Sequence, residues 1–405
     1  MGGGEPPEKW RVLSVLLGAE LCAMGTWFSA SAVVPLLNAV WGLDESGRAW
    51  LTMSVQAGFV VGAFLSAVFN LADRVRAQVL FAFSALASAA ATALIPLAVE
   101  SLTPALWLRF FTGVTLAGVY PVGLKIVATW TRRDRGRGIG LLVGALTIGT
   151  AGPHFLNALG GMRDWRMVLY TASAFAAAAG IVGGLFVREG PYRAPAPRFR
   201  WSYIGVVFRQ RDLVLANLGY LGHMWELYAM WSWLPAFLAG SFAKAGRSAT
   251  AASFTAFAAV AAGGVGSVVA GYLADRFGRT LVTVVSMLAS GTCALAAGAL
   301  YGGSPAALGA LAIFWGFTIV ADSAQFSACV SELCDPNYLG TALTLQTCLG
   351  FLLTMFTIRL VPFVEGRAGE QWAFPALAIG PAFGIWAMLA LRRRPEARKL
   401  AGGRR

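Results

Sequence analysis

Twelve long apolar runs follow one another along the chain, and they constrain its fold more than any other feature. A helix that crosses a bilayer needs about 20 predominantly apolar residues, and each run is about that long. The composition agrees, because 57% of the 405 residues are hydrophobic and 13% are charged. The runs cover residues 11–36, 50–70, 78–98, 104–129, 138–160, 166–187, 213–238, 250–272, 280–301, 306–330, 340–362 and 371–391. The sequence therefore predicts an all-α membrane protein with twelve transmembrane helices.

A short polar motif separates the eighth and ninth runs. Residues 271–279 read G-Y-L-A-D-R-F-G-R, and such charges between two apolar runs belong at the boundary between membrane and water. A weaker copy, L-A-D-R at residues 71–74, lies half a chain earlier and lacks both glycines. Met24 and Pro35 of the first run likewise match Met224 and Pro235 of the seventh. The chain is thus predicted to contain two similar halves.

This repeat predicts four segments. An N-terminal six-helix bundle covers residues 1–187, and a C-terminal six-helix bundle covers residues 213–391. The proline- and arginine-rich linker at 188–212 is expected to be extended, and the basic tail at 392–405 is expected to be disordered. Parallel repeats of this kind place a binding site between the halves, near the middle of the bilayer.

The motif at 271–279 closely resembles the loop signature G-x-x-x-D-R-x-G-R of the major facilitator superfamily of secondary transporters. Arg109 followed by Gly113 resembles the fourth-helix signature of that family, in which the arginine takes part in coupling or holds the helix. The fifth run partly resembles the antiporter signature but has Leu156 and Asn157 in place of its last two glycines. The chain is also loosely similar to bacterial nitrate, cyanate and organic-anion permeases. The resemblance implies two pseudo-symmetric bundles and alternating access to a central site.

The net charge of +13 is explained by topology. Most Lys and Arg residues lie on one side of the twelve-helix arrangement, and they include those of the linker and the tail. Positive residues stay on the cytoplasmic side. We therefore expect a multi-pass monomer in the bacterial inner membrane with both termini cytoplasmic, a linker close to anionic lipid headgroups and no nucleic-acid partner.

The sequence offers little for catalysis. Its five cysteines form no C-x-x-C pair, its two histidines form no H-E-x-x-H motif, and G-x-x-x-x-G-K-[ST] does not occur. We expect no cofactor, no metal site, no ATP-driven pump and no enzyme. A membrane enzyme or a receptor without transport activity is a remote alternative.

Ionisable side chains within the runs are candidates for substrate binding or proton coupling, because a charge at the centre of a spanning helix costs about 2.5–3.5 kcal/mol. Two pairs, one on the seventh run and one on the tenth, are spaced i and i+3, so the members of each pair share a face. The alternative is that these groups are buried packing partners or, for the arginine, a snorkelling side chain. The candidates are Glu20, Trp27, Arg109, His223, Glu226, Asp322 and Gln325.

The two short polar motifs are predicted to form a cytoplasmic gate. Asp73 and Asp275 can accept hydrogen bonds from neighbouring arginines in one conformation and lose them in the other. The glycines are expected to relieve steric limits at the turn, whereas Lys125 is expected to be a snorkelling anchor. The predicted gate residues are Asp73, Arg74, Gly271, Asp275, Arg276, Gly278 and Arg279.

Together these features predict a secondary transporter that moves a small solute by alternating access, coupled to protons. Arg109, with Arg359 or Lys125, could bind an anion, whereas the carboxylates could bind a cation or carry protons. We favour uptake of a small organic or inorganic anion. Proton-coupled efflux of amphiphilic compounds is the alternative.

Overall fold

A computed structural model of the chain describes residues 7–131, 135–159, 164–192 and 199–405. These residues contain helices, turns and connecting segments and no strand. Residues 193–198 of the predicted linker lie outside the described residues.

The first half contains helices α1 (Lys9–Met24), α2 (Val34–Trp41), α3 (Glu45–Val68), α4 (Leu71–Arg74), α5 (Ala77–Ala98), α6 (Leu102–Leu116), α7 (Tyr120–Trp130), α8 (Arg135–Leu159) and α9 (Trp165–Phe186). A short helix, α10 (Ile204–Arg209), precedes the second half. That half contains α11 (Arg211–Lys244), α12 (Ala249–Phe277), α13 (Arg279–Ala296), α14 (Pro305–Ala321), α15 (Ser323–Leu333), α16 (Leu339–Ala368) and α17 (Ile379–Arg392). Short 3-10 turns lie at Ser31–Val33, Trp201–Tyr203, Ala297–Leu300, Glu370–Trp372, Pro375–Ala378 and Pro395–Gly403.

Ten helical segments of the described chain are long and apolar enough to cross a membrane. The two further spans of the twelve-helix fold are the first and the seventh. The first span is divided into α1 and the shorter apolar helix Ser31–Trp41. The seventh is α11, which has 34 residues but carries the polar side chains His223 and Glu226. The all-α fold with twelve spans is confirmed, and the first and seventh spans contain four of the seven candidate site residues, Glu20, Trp27, His223 and Glu226.

The face of the bundle that carries the start of α1, the turns after α3 and α12, and the end of α17 is called the basic face here. Exposed arginines such as Arg74, Arg276 and Arg393 lie on it. At the opposite face, the helices α3, α9, α12 and α14 each begin with a side-chain cap. The caps are Asp44, Asp164, Ser248 and Ser304, whose oxygens accept backbone N–H groups that would otherwise have no partner.

Glycines set the closest contacts between helices. A Cβ atom built on Gly58 of α3 would overlap the Phe110 carbonyl oxygen of α6, and one on Gly113 of α6 would overlap the Val55 carbonyl oxygen. Between the halves, α8 packs along α12 and α3 along α16. Small residues permit this close approach of backbones within a membrane.

Three predicted spans are interrupted. The first breaks after Met24, the fourth breaks between α6 and α7, where Pro121 lies in the first turn of α7, and the tenth breaks at Asp322. The sequence ranges 11–36, 104–129 and 306–330 predicted continuous helices. Those ranges were wrong in this respect, because hydropathy measures how apolar a segment is and does not register where its helix is interrupted.

The structure corrects three other expectations. Gly271 lies inside α12 and not in the turn, because the residues up to Phe277 continue the helix. The linker contains α10 and a 3-10 turn and is therefore not simply extended. The tail is packed rather than disordered, since Ala397 and Leu400 are fully buried.

Candidate functional site

Glu226 is buried in the second half and binds two neutral donors. Its Oε2 accepts a hydrogen bond from Ser290 Oγ of α13 at 2.8 Å, and its Oε1 accepts one from Trp315 Nε1 of α14 at 2.7 Å. Neither donor is identifiable from the sequence, because no periodicity connects residues of three different helices. Within the described residues Glu226 has no cationic partner. Its carboxyl group thus connects α11 to both α13 and α14 by hydrogen bonds.

His223 pairs with Asp322, which lies at the break between α14 and α15. The distance from His223 Nδ1 to Asp322 Oδ1 is 2.9 Å, and both side chains are almost completely buried. The ring of Phe326 lies 5.5 Å from the imidazole. The shared face of His223 and Glu226 thus brings three titratable groups into one region of the second half.

Glu20 lies apart from this cluster, in the first half. It is fully buried, and neither carboxyl oxygen has a hydrogen-bond partner among the described residues. A Cβ atom on Gly123 of α7 would lie 2.9 Å from Glu20 Oε2, so Gly123 leaves the space that this carboxyl group occupies. Glu20 is therefore buried without an ionic partner.

Arg109 supports the broken first span. Its Nη1 donates to the Thr26 carbonyl oxygen at 2.7 Å and to Ser29 Oγ at 3.2 Å, and its Nη2 donates to the Trp27 carbonyl oxygen. Its Nε donates to the Leu51 carbonyl oxygen of α3 at 3.3 Å. The side chain is completely buried, so it does not snorkel. The guanidinium group satisfies carbonyl groups that the break in the helix leaves free.

Six rings meet where the two halves face each other, and we call them the aromatic cluster. Neighbouring ring centroids are 4.6–6.4 Å apart. The first half contributes rings from the break in the first span and from α3, and the second half contributes rings from α11 and α16. The members are Trp27, Phe28, Phe59, Tyr228, Trp231 and Phe351. Trp27 is thus the candidate site residue that contacts the other half.

The predicted gate forms two ionic contacts at the basic face. Lys125 Nζ donates to Asp73 Oδ1 at 2.9 Å and lies 3.4 Å from Glu189 Oε1, so this lysine, interpreted from the sequence as a membrane anchor, is a partner of Asp73. Arg279 donates from Nε and Nη2 to the two carboxyl oxygens of Glu332 at 2.8 and 2.5 Å. Each contact connects the turn of one motif to the basic-face end of a broken span, α7 or α15.

The remaining gate candidates make weaker contacts. Asp275 is more than half exposed and lies 3.8 Å from Arg279. Arg276 lies over the ring of Phe277, and Arg74 is exposed. Gln325, predicted near Asp322, instead accepts a hydrogen bond from Arg279 Nη1 at 2.8 Å. It therefore belongs to the gate contacts in this conformation.

The glycine and asparagine of the two turns take up left-handed backbone conformations. Gly278 has φ +98°, as expected for the glycine of the second motif, and Asn70 has φ +51° in the first motif, which lacks the glycine. Glu332 also accepts the backbone N–H of Ala401 at 3.0 Å, so the tail contacts the same gate residue.

Two helical bundles meet at a buried aromatic cluster. They contain buried carboxyl groups and form ionic contacts at one face, an arrangement typical of a membrane transporter. The family model for the Major Facilitator Superfamily matches residues 16–357. The chain belongs to this family, and it is a multi-pass membrane transporter rather than an enzyme.

Solved structures with the same fold include a D-xylose-proton symporter, at a TM-score of 0.72 and 17% identity over 96% of this chain and 98% of that one. A mutant of the nucleoside transporter NupG matches with a TM-score of 0.69 and 15% identity over 95% and 99% of the respective chains. No curated protein sequence matches. These similarities do not confirm the loose resemblance to nitrate and cyanate permeases.

Proposed function

We propose that this protein is a secondary active transporter that moves a small solute by alternating access and couples it to protons through Glu226, His223 and Asp322. The observation that carries the proposal is the buried carboxyl group of Glu226, whose hydrogen-bond donors Ser290 and Trp315 are both neutral. A buried carboxylate without a cation is costly, and uptake of a proton removes that cost. Burial among neutral donors therefore favours the protonated form of Glu226.

The positions of these groups connect protonation to movement. Glu226 accepts hydrogen bonds from α13 and α14, so a proton on this carboxyl group weakens both contacts of α11. Asp322 lies at the break in the tenth span, so a proton gained or lost by the His223–Asp322 pair acts on that break. We expect the second half to change its packing when the cluster is protonated.

The ionic contacts Lys125–Asp73 and Arg279–Glu332 support the role of a gate at the basic face. They hold the turns of the two motifs against the fourth and tenth spans. The positive-inside rule supports a cytoplasmic orientation of the basic face, with both termini in the cytoplasm of a bacterial cell and the gate at the inner mouth of the transport path.

The geometry favours an uncharged solute over the anion preferred from the sequence. Arg109, the central cation of the anion hypothesis, donates its hydrogen bonds to Thr26, Trp27, Ser29 and Leu51. The similar structures are named for a nucleoside and for D-xylose, and neither of these is an anion. Efflux of amphiphilic compounds is the second candidate function, and the aromatic cluster favours it.

The test uses purified protein in proteoliposomes, with solutes chosen by their ability to raise its melting temperature. An imposed proton gradient is expected to accelerate uptake of such a solute. Glu226→Gln is expected to abolish the gradient-driven part and to retain exchange of labelled for unlabelled solute, because the amide keeps the shape of the side chain and cannot release a proton.

Glu100→Gln is the matched control, since Glu100 is exposed in the loop between α5 and α6. It should behave like the unmodified protein. Unchanged gradient-driven uptake in Glu226→Gln would remove Glu226 from the mechanism. If uptake by the unmodified protein does not depend on the proton gradient, the proposal of proton coupling is excluded.

A further inference from the structure

We propose that the aromatic cluster is the substrate site, and that it binds an uncharged, ring-shaped solute with hydrogen-bond acceptors, to which the indole N–H groups of Trp27 and Trp231 donate. The inference rests on the proposed transport function and adds the chemical class of the solute and the residues that recognise it.

Unpartnered hydrogen-bond donors are the first observation. Trp27 and Trp231 are each 2% exposed, and neither Nε1 atom has a hydrogen-bond partner among the described residues. Four other tryptophans do donate from Nε1, to the Arg188, Ala376 and Ile358 carbonyl oxygens and to Glu226, and these are Trp130, Trp225, Trp233 and Trp315. Buried donors are almost always satisfied. The two exceptions both lie in the aromatic cluster, where a bound acceptor would satisfy them.

Gln56 adds an amide to the same region. It precedes Phe59 by three residues on α3, so the two side chains share a face of that helix. The Gln56 side chain is completely buried, and neither its oxygen nor its nitrogen has a partner among the described residues. The site thus offers donors and an acceptor as well as ring faces, a combination suited to a ring that carries carbonyl, hydroxyl or ring-nitrogen groups.

Two charged side chains of the neighbouring helices, Glu226 and Arg109, are turned away from the cluster or engaged elsewhere. Glu226 and Tyr228 are two residues apart on α11, about 200° around the helix, and Glu226 binds α13 and α14. Arg109 is bound to backbone carbonyl groups, including that of Trp27. All six rings of the cluster are uncharged. A charged solute would lose its hydration here without gaining a counter-charge, which favours an uncharged one.

The location of the two indoles gives recognition a mechanical consequence. Trp27 belongs to the first span and Trp231 to the seventh, and their ring centroids lie 5.9 Å and 5.4 Å from that of Tyr228. A solute that accepts hydrogen bonds from both indoles connects the two halves of the protein. Trp27 in turn is fixed by Arg109, which makes Arg109 a positioning residue for this site.

The experiment measures binding to the full chain in detergent, with no proton gradient. Two series keep the ring and vary the charge. The flat series is nicotinamide, nicotinate and the cation made by methylating the ring nitrogen of nicotinamide. The saturated series is glucose, glucuronate and glucosamine, with sorbitol as an open-chain comparison. Stabilisation against heating identifies binders, and a labelled form of the best one gives its Kd. We expect the uncharged ring of at least one series to bind more tightly than its charged analogues.

Trp27→Phe and Trp231→Phe then remove one N–H group each and keep a ring. Each is expected to weaken binding of the best compound by roughly five- to tenfold, the effect of one lost hydrogen bond. Trp107→Phe, on the exposed surface of α6, is the control and should not change the Kd. Gln56→Met is a second, independent variant with the same expected direction, in case a tryptophan variant does not fold.

Tighter binding of the charged analogues, binding of sorbitol alone, no binding by any uncharged ring, or unchanged Kd values in Trp27→Phe, Trp231→Phe and Gln56→Met would each overturn the inference. Because binding is measured without a gradient, the two proposals fail separately. Binding of an uncharged ring without gradient-driven uptake rejects proton coupling alone, and gradient-driven uptake of a charged solute rejects the substrate class alone.

Discussion

In this conformation Arg109 donates hydrogen bonds to backbone carbonyl groups of its own chain. A break in a membrane-embedded helix leaves carbonyl groups without intrahelical donors, and each such group is costly in an apolar environment. The planar guanidinium group can donate several hydrogen bonds in fixed directions. It reaches carbonyl oxygens of the first span and of α3 at once. The break and the arginine therefore depend on each other.

Arg109→Lys is expected to destabilise the protein by about 2–4 kcal/mol, because the ammonium group keeps the charge but cannot reach carbonyl groups of two helices together. Thermal unfolding in detergent should show a clearly lower melting temperature. Arg359→Lys, at an exposed position on α16, is the matched control. A melting temperature equal to that of the unmodified protein would show that the hydrogen bonds of Arg109 are not needed for the fold.

The sequence identified the unusual residues of the site but not their partners. Glu20, Glu226, Asp322 and His223 stand out because ionisable groups are rare in apolar runs. Ser290 gave no signal, since serine is common in spanning helices. Which donors face a carboxyl group depends on how helices rotate and pack against one another, and that information is not local in the sequence.

At the scale of the helix, the length and position of the spans were predictable, and their interruptions were not. Twelve apolar runs follow from hydropathy alone. The break between α6 and α7 has a local cause in Pro121, but the break after Met24 is supported from another helix by Arg109. The turn of the second motif was placed too early, at Gly271, because a glycine on the polar edge of a run does not by itself end a helix.

The close contact between α3 and α6 is sensitive to a small increase in side-chain volume. Gly58→Ala would place a methyl group against the Phe110 carbonyl oxygen, and backbone atoms cannot move aside as a flexible side chain can. We expect a loss of about 1–3 kcal/mol of stability, typical of overpacking, measured as a lower melting temperature and faster loss of solute binding on heating.

Gly18→Ala is the control for this contact, because a Cβ atom at Gly18 of α1 meets no atom within 4 Å. Alanine is also the better helix former, so this variant should be neutral or slightly more stable. Equal effects of the two substitutions would contradict the packing explanation and would indicate a general response to alanine in these helices.

At the scale of the whole molecule, each half has an ion pair between its motif turn and a broken span, and the two partners exchange their charges from one half to the other. In the first half the turn supplies the carboxylate, Asp73, and the span supplies the cation, Lys125. In the second half the turn supplies the cation, Arg279, and the span supplies the carboxylate, Glu332. Each contact lies within one half and holds the basic-face end of a broken span, α7 or α15, in place, so its loss is expected to loosen the packing of that end against the other half.

Cys348 gives a native reporter for that movement. It lies on α16 against α3 of the other half, with its Sγ 3.9 Å from the Val60 carbonyl oxygen, and it is 9% exposed. In a protein whose other cysteines are replaced by alanine, Arg279→Gln or Lys125→Gln is expected to raise the rate of maleimide labelling of Cys348. An increase of about fivefold corresponds to the roughly 1 kcal/mol of a partly exposed ion pair.

The increase should be specific to the gate contacts and not to the loss of one positive charge. Arg393→Gln removes a charge from an exposed position on the same basic face and is expected to leave the labelling rate unchanged. Lys125→Arg keeps a positive charge beside both Asp73 and Glu189 and should leave the rate close to that of the unmodified protein. If Arg279→Gln and Lys125→Gln label as slowly as the control, these ion pairs do not hold the basic face closed, and the closed state must be maintained by apolar contacts between the halves.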